Sequence, residues 1–238
     1  MGTNPFRILF KLHMEHGYCL ALTIPSSTGE SDPDRLDKYR GHLHPVEFSY
    51  AATLAPRRAS TWIAGRLAIR EAMRDIGEIG ESPVMSYPRG APIMPPGISG
   101  SISHKADTDL VTATVLVAAR DRQAIGVDIE FADRPCGQIG TAVLTGEEIT
   151  QIDSLPPDKR SFETLLRFSI KEAVYKAIDP FLHRFVDYKE ISVFPDDAGR
   201  VLIQWHPAPP ATPGNIEARW MVRDGLIITT TKAEANSK

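Results

Sequence analysis

The stretch Gly126-Val127-Asp128-Ile129-Glu130 constrains the fold more tightly than any other five residues of this 238-residue chain. Its strict alternation of apolar and acidic side chains has the period of an extended strand, in which every second residue shares a face. Val127 and Ile129 then point into a core, while Asp128 and Glu130 project together. Two acids held side by side repel unless something positive lies between them. Carboxylate oxygens suit a hard cation such as Mg2+, which also accepts waters and substrate phosphates. The pentapeptide is therefore a candidate site for magnesium-assisted phosphate chemistry. Its plainer reading is a strand with an acidic, solvated outer face.

A third carboxylate lies further along. Between Ser161 and Ile178, Phe162, Leu166, Ile170, Ala173 and Ala177 fall on one stripe at about 3.6 residues per turn, which predicts a helix. Glu172 and Lys176 share the edge of that stripe, and Pro180 is expected to end the helix. Glu172 can complete a metal site or act as a general base, and Lys176, one turn on, can meet a phosphate. Taken alone, the two are an i,i+4 salt bridge contributing about 0.3 to 0.5 kcal/mol.

The other elements follow from the same rules. Phe6 to Ile24 carries short apolar groups compatible with strands, and Ser26 to Gly29 reads as a loop, while 30–46 is too polar to place. Pro56 to Ile76 has helical spacing with Gly77 to end it, and Gly65 inside it implies close approach by another group. Prolines and glycines exclude a regular element from Ser82 to Gly100. Ile98 to His104, Leu110 to Ala118 and Ala124 to Glu130 read as strands of one small sheet in the middle of the chain. Thr145 to Glu148 is a capping box opening a helix, and Pro156-Pro157 breaks the chain before the helix from Ser161. Strands are expected at Ile191 to Phe194, Val201 to Trp205, Ala218 to Val222 and Leu226 to Thr231, with turns or loops at Asp197, Pro207 to Pro213 and Asp224-Gly225 and a frayed tail from Ala233. The fold class is α+β. A helix carrying Gly-Arg-Leu-Ala-Ile-Arg-Glu-Ala (65–72) and a second carrying Phe-Ser-Ile-Lys-Glu-Ala (168–173) are each followed by strands, consistent with two similar halves, 1–122 and 123–238.

Composition narrows the partners. Net charge is only -3, so no global field recruits nucleic acid or an anionic membrane. Any basic site is local. Arg57-Arg58 and Arg66 place guanidinium groups at or near a helix, and Arg89-Gly90 offers another anion contact. Ser101, Ser103 and Lys105 share one strand face, with His104 on the other unless the strand ends there; together they can bind phosphate oxygens. Cys19 and Cys136 form no ligand-spaced set, and charged residues interrupt the apolar stretch from Ile8 to Ile24, which points to a reduced cytoplasmic protein without an export signal or membrane span.

Gly126-Val-Asp-Ile-Glu130 followed by Phe168-Ser-x-Lys-Glu-Ala-x-Tyr-Lys176, and preceded by Gly100-Ser-Ile-Ser-His104, resembles the 4'-phosphopantetheinyl transferase superfamily, most closely its monomeric surfactin- and enterobactin-type members. The resemblance extends over roughly residues 46 to 178. It implies two α+β halves with the active site at their interface, the N-terminal half contacting the coenzyme A nucleotide and the C-terminal half carrying the metal. It also implies transfer of phosphopantetheine from coenzyme A to a serine of an apo acyl or peptidyl carrier protein, in secondary-metabolite or siderophore assembly, by a monomeric enzyme. Asp128, Glu130 and Glu172 match the family's metal ligands for Mg2+, with Mn2+ as an alternative, and Asp128 also adjoins the coenzyme A. Glu172 matches the proposed base and Lys176 the lysine near the coenzyme A diphosphate. Arg58, Arg66, Arg89, Ser103 and His104 fall where family members bind the nucleotide and its phosphates. Exposed basic and apolar residues beside the site are expected to dock the acidic carrier. Met94 stands where many enterobactin-type members have tryptophan, and Lys105 where a small residue is usual. The first implies altered packing, the second an extra phosphate contact.

Two other readings use the same residues. One is a metal-dependent hydrolase of a nucleotide diphosphate; the other is a coenzyme A binding module without catalysis. The carrier, its pathway and the acceptance of acylated coenzyme A are not written in the sequence.

Overall fold

The computed structural model describes residues 4–26, 33–78, 82–119, 123–182, 184–206 and 213–235. The chain divides into two compact units, Met1–Asp121 and Arg122–Lys238. Among the described residues no helix is long and apolar enough to cross a membrane.

The first unit is an antiparallel sheet with a helix laid across it. Strands β1 (Arg7–Met14), β2 (Gly17–Pro25), β3 (Ile98–Ala106) and β4 (Leu110–Ala119) take the order β1-β2-β4-β3. Helix α2 (Pro56–Asp75) packs across β2, β3 and β4, with the short α1 (Pro45–Ala52) beside it. Proline at its first position suits α2, since the missing N–H would be unpaired there anyway. At the other end Gly77, at φ +82°, donates to Arg74 O at 3.1 Å, and Glu78 donates to Met73 O at 2.9 Å. That is a Schellman stop, which the glycine makes possible. Gly65 serves close packing as expected: a Cβ there would lie 3.1 Å from Ile102 Cγ2 on β3. Met94 also fills space, its thioether covering Gly100 and packing against the core.

Residues 30–46 contain what the sequence leaves unplaced: a 3-10 turn at Pro33–Tyr39 and the start of α1, while 27–32 lie outside the described residues. His44 caps α1 by accepting from Val46, and Glu47 answers by accepting from the His44 backbone. Glu47 is fully buried and also accepts from Arg70 and from Val84 N at 2.6 Å. A carboxylate this deep is stable only when hydrogen-bonded and paired, and Glu47 is both.

The second unit repeats the theme. Strands β5 (Gln123–Phe131), β6 (Ile191–Pro195), β7 (Arg200–Trp205), β8 (Ile216–Arg223) and β9 (Leu226–Glu234) run antiparallel in the order β5-β9-β8-β7-β6. The strand from Ala124 to Glu130 therefore does not join its two predecessors in one sheet; β3 and β4 pair together, and β5 pairs with β9, a hundred residues later. Short helices α3 (Ile139–Val143) and α4 (Gly146–Asp153) precede α5 (Pro157–Leu182), which packs across β5, β6, β8 and β9. The Thr145 and Glu148 capping box forms as expected. Helix α5 is longer than predicted at both ends. Pro157 occupies its first turn, and Pro180 lies in its last, where one forfeited hydrogen bond does not stop the chain from completing the turn. Strand β9 likewise runs on through Ala233, fully buried, and Glu234, so the tail is ordered further than its composition implies. The turn Asp224-Gly225 joins β8 to β9 with both residues at positive φ. The predicted loop from Pro207 falls almost wholly outside the described residues.

Candidate active site

The site begins where α5 crosses β5. A Cβ built on Gly126 would lie 1.9 Å from Ala173 O and 3.0 Å from Ala177 N, so the helix rests on bare strand backbone. The face of β5 that carries Gly126 also carries Asp128 and Glu130. Both acids accordingly lie on the helix side of the strand, and they are buried, at 3% and 7% exposure, not projecting from a solvated face. Val127 and Ile129 are fully buried on the opposite face. The same contact fixes Lys176, next to Ala177: its ammonium donates to Asp128 Oδ1 at 2.8 Å and to Val127 O at 2.9 Å.

Glu172 adjoins Ala173 and is half-buried. Its Oε1 accepts from the hydroxyl of Tyr188, a residue to which the sequence assigns no role. The phenol of Tyr188 is held above its ordinary range by burial first, then by its bond to Glu172 and by the negative field of Glu172 and Asp128. Among the described residues the three carboxylates are not gathered with an oxygen of each inside 4.8 Å of the others. Asp128 is held by Lys176 and Glu172 by Tyr188. The donors are nevertheless all carboxylate, and two of them share one strand face, which is the chemistry that Mg2+ or Mn2+ selects.

Lys171, inside the same motif, is structural. Its buried ammonium donates to Glu148 Oε2 and Val143 O, each at 2.7 Å, and to Tyr188 O at 2.9 Å. Burial lowers its pKa, and Glu148 opposes that shift.

The basic candidates of the first unit separate into distinct environments. Arg58 is exposed in the first turn of α2, and Arg89 is exposed in a turn closed by Gly90 at φ +95°. Arg66 is buried: it lies over the Trp62 ring at 3.6 Å and donates to Val84 O, Met85 O and Ser86 Oγ. Burial pulls its guanidinium down to about 10, still protonated at neutral pH. Arg66 thus tethers the proline-rich segment that carries Arg89. Strand β3 continues through Lys105 to Ala106, so Ser103, buried, and His104, exposed, point to opposite faces. His104 shares its face with Ile102, which packs on Gly65 of α2.

The profile of the 4'-phosphopantetheinyl transferase superfamily matches residues 124–224, and that of the 4'-phosphopantetheinyl transferase N-terminal domain matches 47–114. Enterobactin synthase component D of Salmonella typhimurium is 30% identical, across 74% of this chain and 73% of that protein. The chain belongs to the 4'-phosphopantetheinyl transferase superfamily. The 4'-phosphopantetheinyl transferase Svp of Streptomyces mobaraensis is 28% identical across 91% of this chain and 89% of its own length. The 4'-phosphopantetheinyl transferase PptT of Mycobacterium tuberculosis is 27% identical across 91% of this chain and 98% of its own. Asp128, Glu130, Glu172, Lys176 and Tyr188 all fall inside the superfamily match. Arg58, Arg66, Arg89, Ser103 and His104 fall inside the match to the N-terminal domain of phosphopantetheinyl transferases.

Proposed function

We propose that this chain is a Mg2+-dependent 4'-phosphopantetheinyl transferase that moves phosphopantetheine from coenzyme A to a serine of an apo acyl or peptidyl carrier protein. The observation that carries this reading is the ammonium of Lys176 seated on the buried Asp128, one helical turn from Glu172.

In this mechanism the serine oxygen attacks the phosphorus that bears the pantetheine arm. The bond from that phosphorus to the bridging oxygen breaks, and adenosine 3',5'-bisphosphate departs with the electron pair. Glu172 takes the serine proton, its carboxylate being the half-buried acid of the site. Lys176 offsets charge on the diphosphate, as a compact cation on a flexible stem can. Asp128, Glu130 and Glu172 would hold the Mg2+, with Mn2+ as substitute, and the bound ion supplies neutralisation of the diphosphate charge. Arg58, Arg89, Ser103 and His104 serve the nucleotide and its phosphates, and Arg66 serves them by shaping the 84–86 segment. The enzyme acts as a cytoplasmic monomer on a carrier whose acidic surface meets exposed basic and apolar residues.

Incubation with Mg2+, coenzyme A and a panel of apo carriers from fatty-acid, polyketide and nonribosomal systems tests this directly. At least one carrier gains the mass of a phosphopantetheinyl group with the wild-type chain and none with Glu172→Ala. Hydrolysis of coenzyme A with every carrier mass unchanged would replace transfer by a hydrolase activity.

A further inference from the structure

We infer that Tyr188 is a positioning residue for Glu172, holding its carboxylate through a hydrogen bond to Oε1 so that the second oxygen is presented in a fixed direction; the inference rests on the transferase reading above. The structure mounts Tyr188 at three points, all on α5. Its hydroxyl donates to Glu172, its backbone carbonyl accepts from Lys171 Nζ at 2.9 Å, and its ring packs on Phe168 at a tilt of 52° with centroids 5.9 Å apart. Residues 168, 171 and 172 are spaced i, i+3 and i+4, so one helix face makes all three contacts.

The mount is rigid from the other side too. Tyr188 opens the 3-10 turn Tyr188–Glu190, whose N-cap Asp187 accepts from Lys189 N and whose Glu190 side chain accepts from the Asp187 backbone. Lys171 is 2% exposed and pinned by Glu148 and Val143 O. A hydroxyl carried on such a frame has little freedom to follow Glu172, so Glu172 must conform to it. A half-buried glutamate has several side-chain rotamers, and fixing one of them is what an outer partner of a metal-binding or basic carboxylate contributes.

Tyr188→Phe removes the hydroxyl and keeps the ring, the carbonyl contact and the turn. Three measurements on the full chain read the result: thermal melting, Mn2+ binding followed by electron paramagnetic resonance, and steady-state transfer with coenzyme A and a carrier. The expected outcome is an unchanged melting midpoint, Mn2+ affinity weaker by about tenfold, the low end of what loss of such outer partners costs, and kcat lower by about tenfold with KM for coenzyme A held within twofold. In a Glu172→Gln background, the added Tyr188→Phe change then has no further effect on Mn2+ affinity. Wild-type Mn2+ affinity and kcat in Tyr188→Phe, or tighter Mn2+ binding, would overturn the inference. A wild-type chain that transfers nothing and binds no Mn2+ would instead remove the transferase reading itself.

Discussion

Lys176 Nζ stands 2.8 Å from Asp128 Oδ1, with the acid 4% and the lysine 26% exposed along their side chains. Removing one partner of a fully buried ion pair costs about 3 to 5 kcal/mol, because the other charge is left desolvated. Here the ammonium still reaches solvent, so Lys176→Met is expected to cost about 2 kcal/mol, between that range and a surface pair. Urea denaturation measures it. Adding Asp128→Asn should restore at least half of the loss, since the buried charge goes with it. A double variant as unstable as the single would mean that the lysine acts through its aliphatic packing.

The buried pair of Lys171 and Glu148 is the stronger case. Both side chains are at most 2% exposed, and Glu148 also accepts from Thr145 N and from Val193 N. Lys171→Met strands a fully buried carboxylate and is expected to cost about 3 to 5 kcal/mol. Lys171→Met with Glu148→Gln should cost less than the single change. Because Lys171 also holds the carbonyl of Tyr188, near-ultraviolet circular dichroism should report a loosened tyrosine in the single variant.

What the sequence makes legible, and what it hides, differ for a physical reason. Periodicity sees side chains relative to their own backbone. It therefore yields β5, the apolar stripe of α5 and the shared face of Asp128 and Glu130. It does not see which strand a strand pairs with. So β5 is expected in one small sheet with β3 and β4 and is found beside β9, across a separation of about a hundred residues. Nor does it show what buries a face: the acids of β5 lie under a helix, which only the glycine before them could have signalled. Tyr188 lies outside the quoted motif, and nothing in its local pattern points back to Glu172. Arg66 illustrates the converse error of scale, since a guanidinium looks equally suited to phosphate or to backbone carbonyls until its burial is known.

The cluster of Tyr18, Asp75 and Lys11 gives a pH signature in the first unit. Tyr18 donates to Asp75 Oδ2 at 2.8 Å, and Lys11 donates to Oδ1 at 2.9 Å. Burial, then the bond to Asp75, pushes the Tyr18 phenol up to about 12 from 10.0. A raised phenol keeps its proton in the folded state, so its contribution is fully present below pH of about 10 and is lost as pH rises through about 12. In Asp75→Asn the phenol should titrate lower, yet above the free value because burial remains. Absorbance titration of the phenolate checks both statements, and an identical curve for the variant would exclude Asp75 as a cause.

Two glycines separate a contact that can yield from one that cannot. A Cβ on Gly65 meets the Cγ2 methyl of the Ile102 side chain at 3.1 Å, whereas a Cβ on Gly126 meets Ala173 O at 1.9 Å. In α2, alanine gains about 1 kcal/mol of helix propensity over glycine. A shift of a few tenths of an ångström in the Ile102 side chain takes up the overlap and offsets part of that gain, so Gly65→Ala should change stability by less than about 1 kcal/mol in either direction. At Gly126 the obstacle is helix backbone, and α5 must lift away from β5, carrying Glu172 and Lys176 with it. Overpacking of this kind costs about 1 to 3 kcal/mol or more. Gly126→Ala is therefore expected to lower the melting temperature and to lower kcat at least tenfold, with Gly65→Ala close to wild type on both. Should Gly126→Ala melt early yet transfer at the wild-type rate, the spacing of α5 on β5 would not govern how Lys176 and Glu172 meet the buried acids.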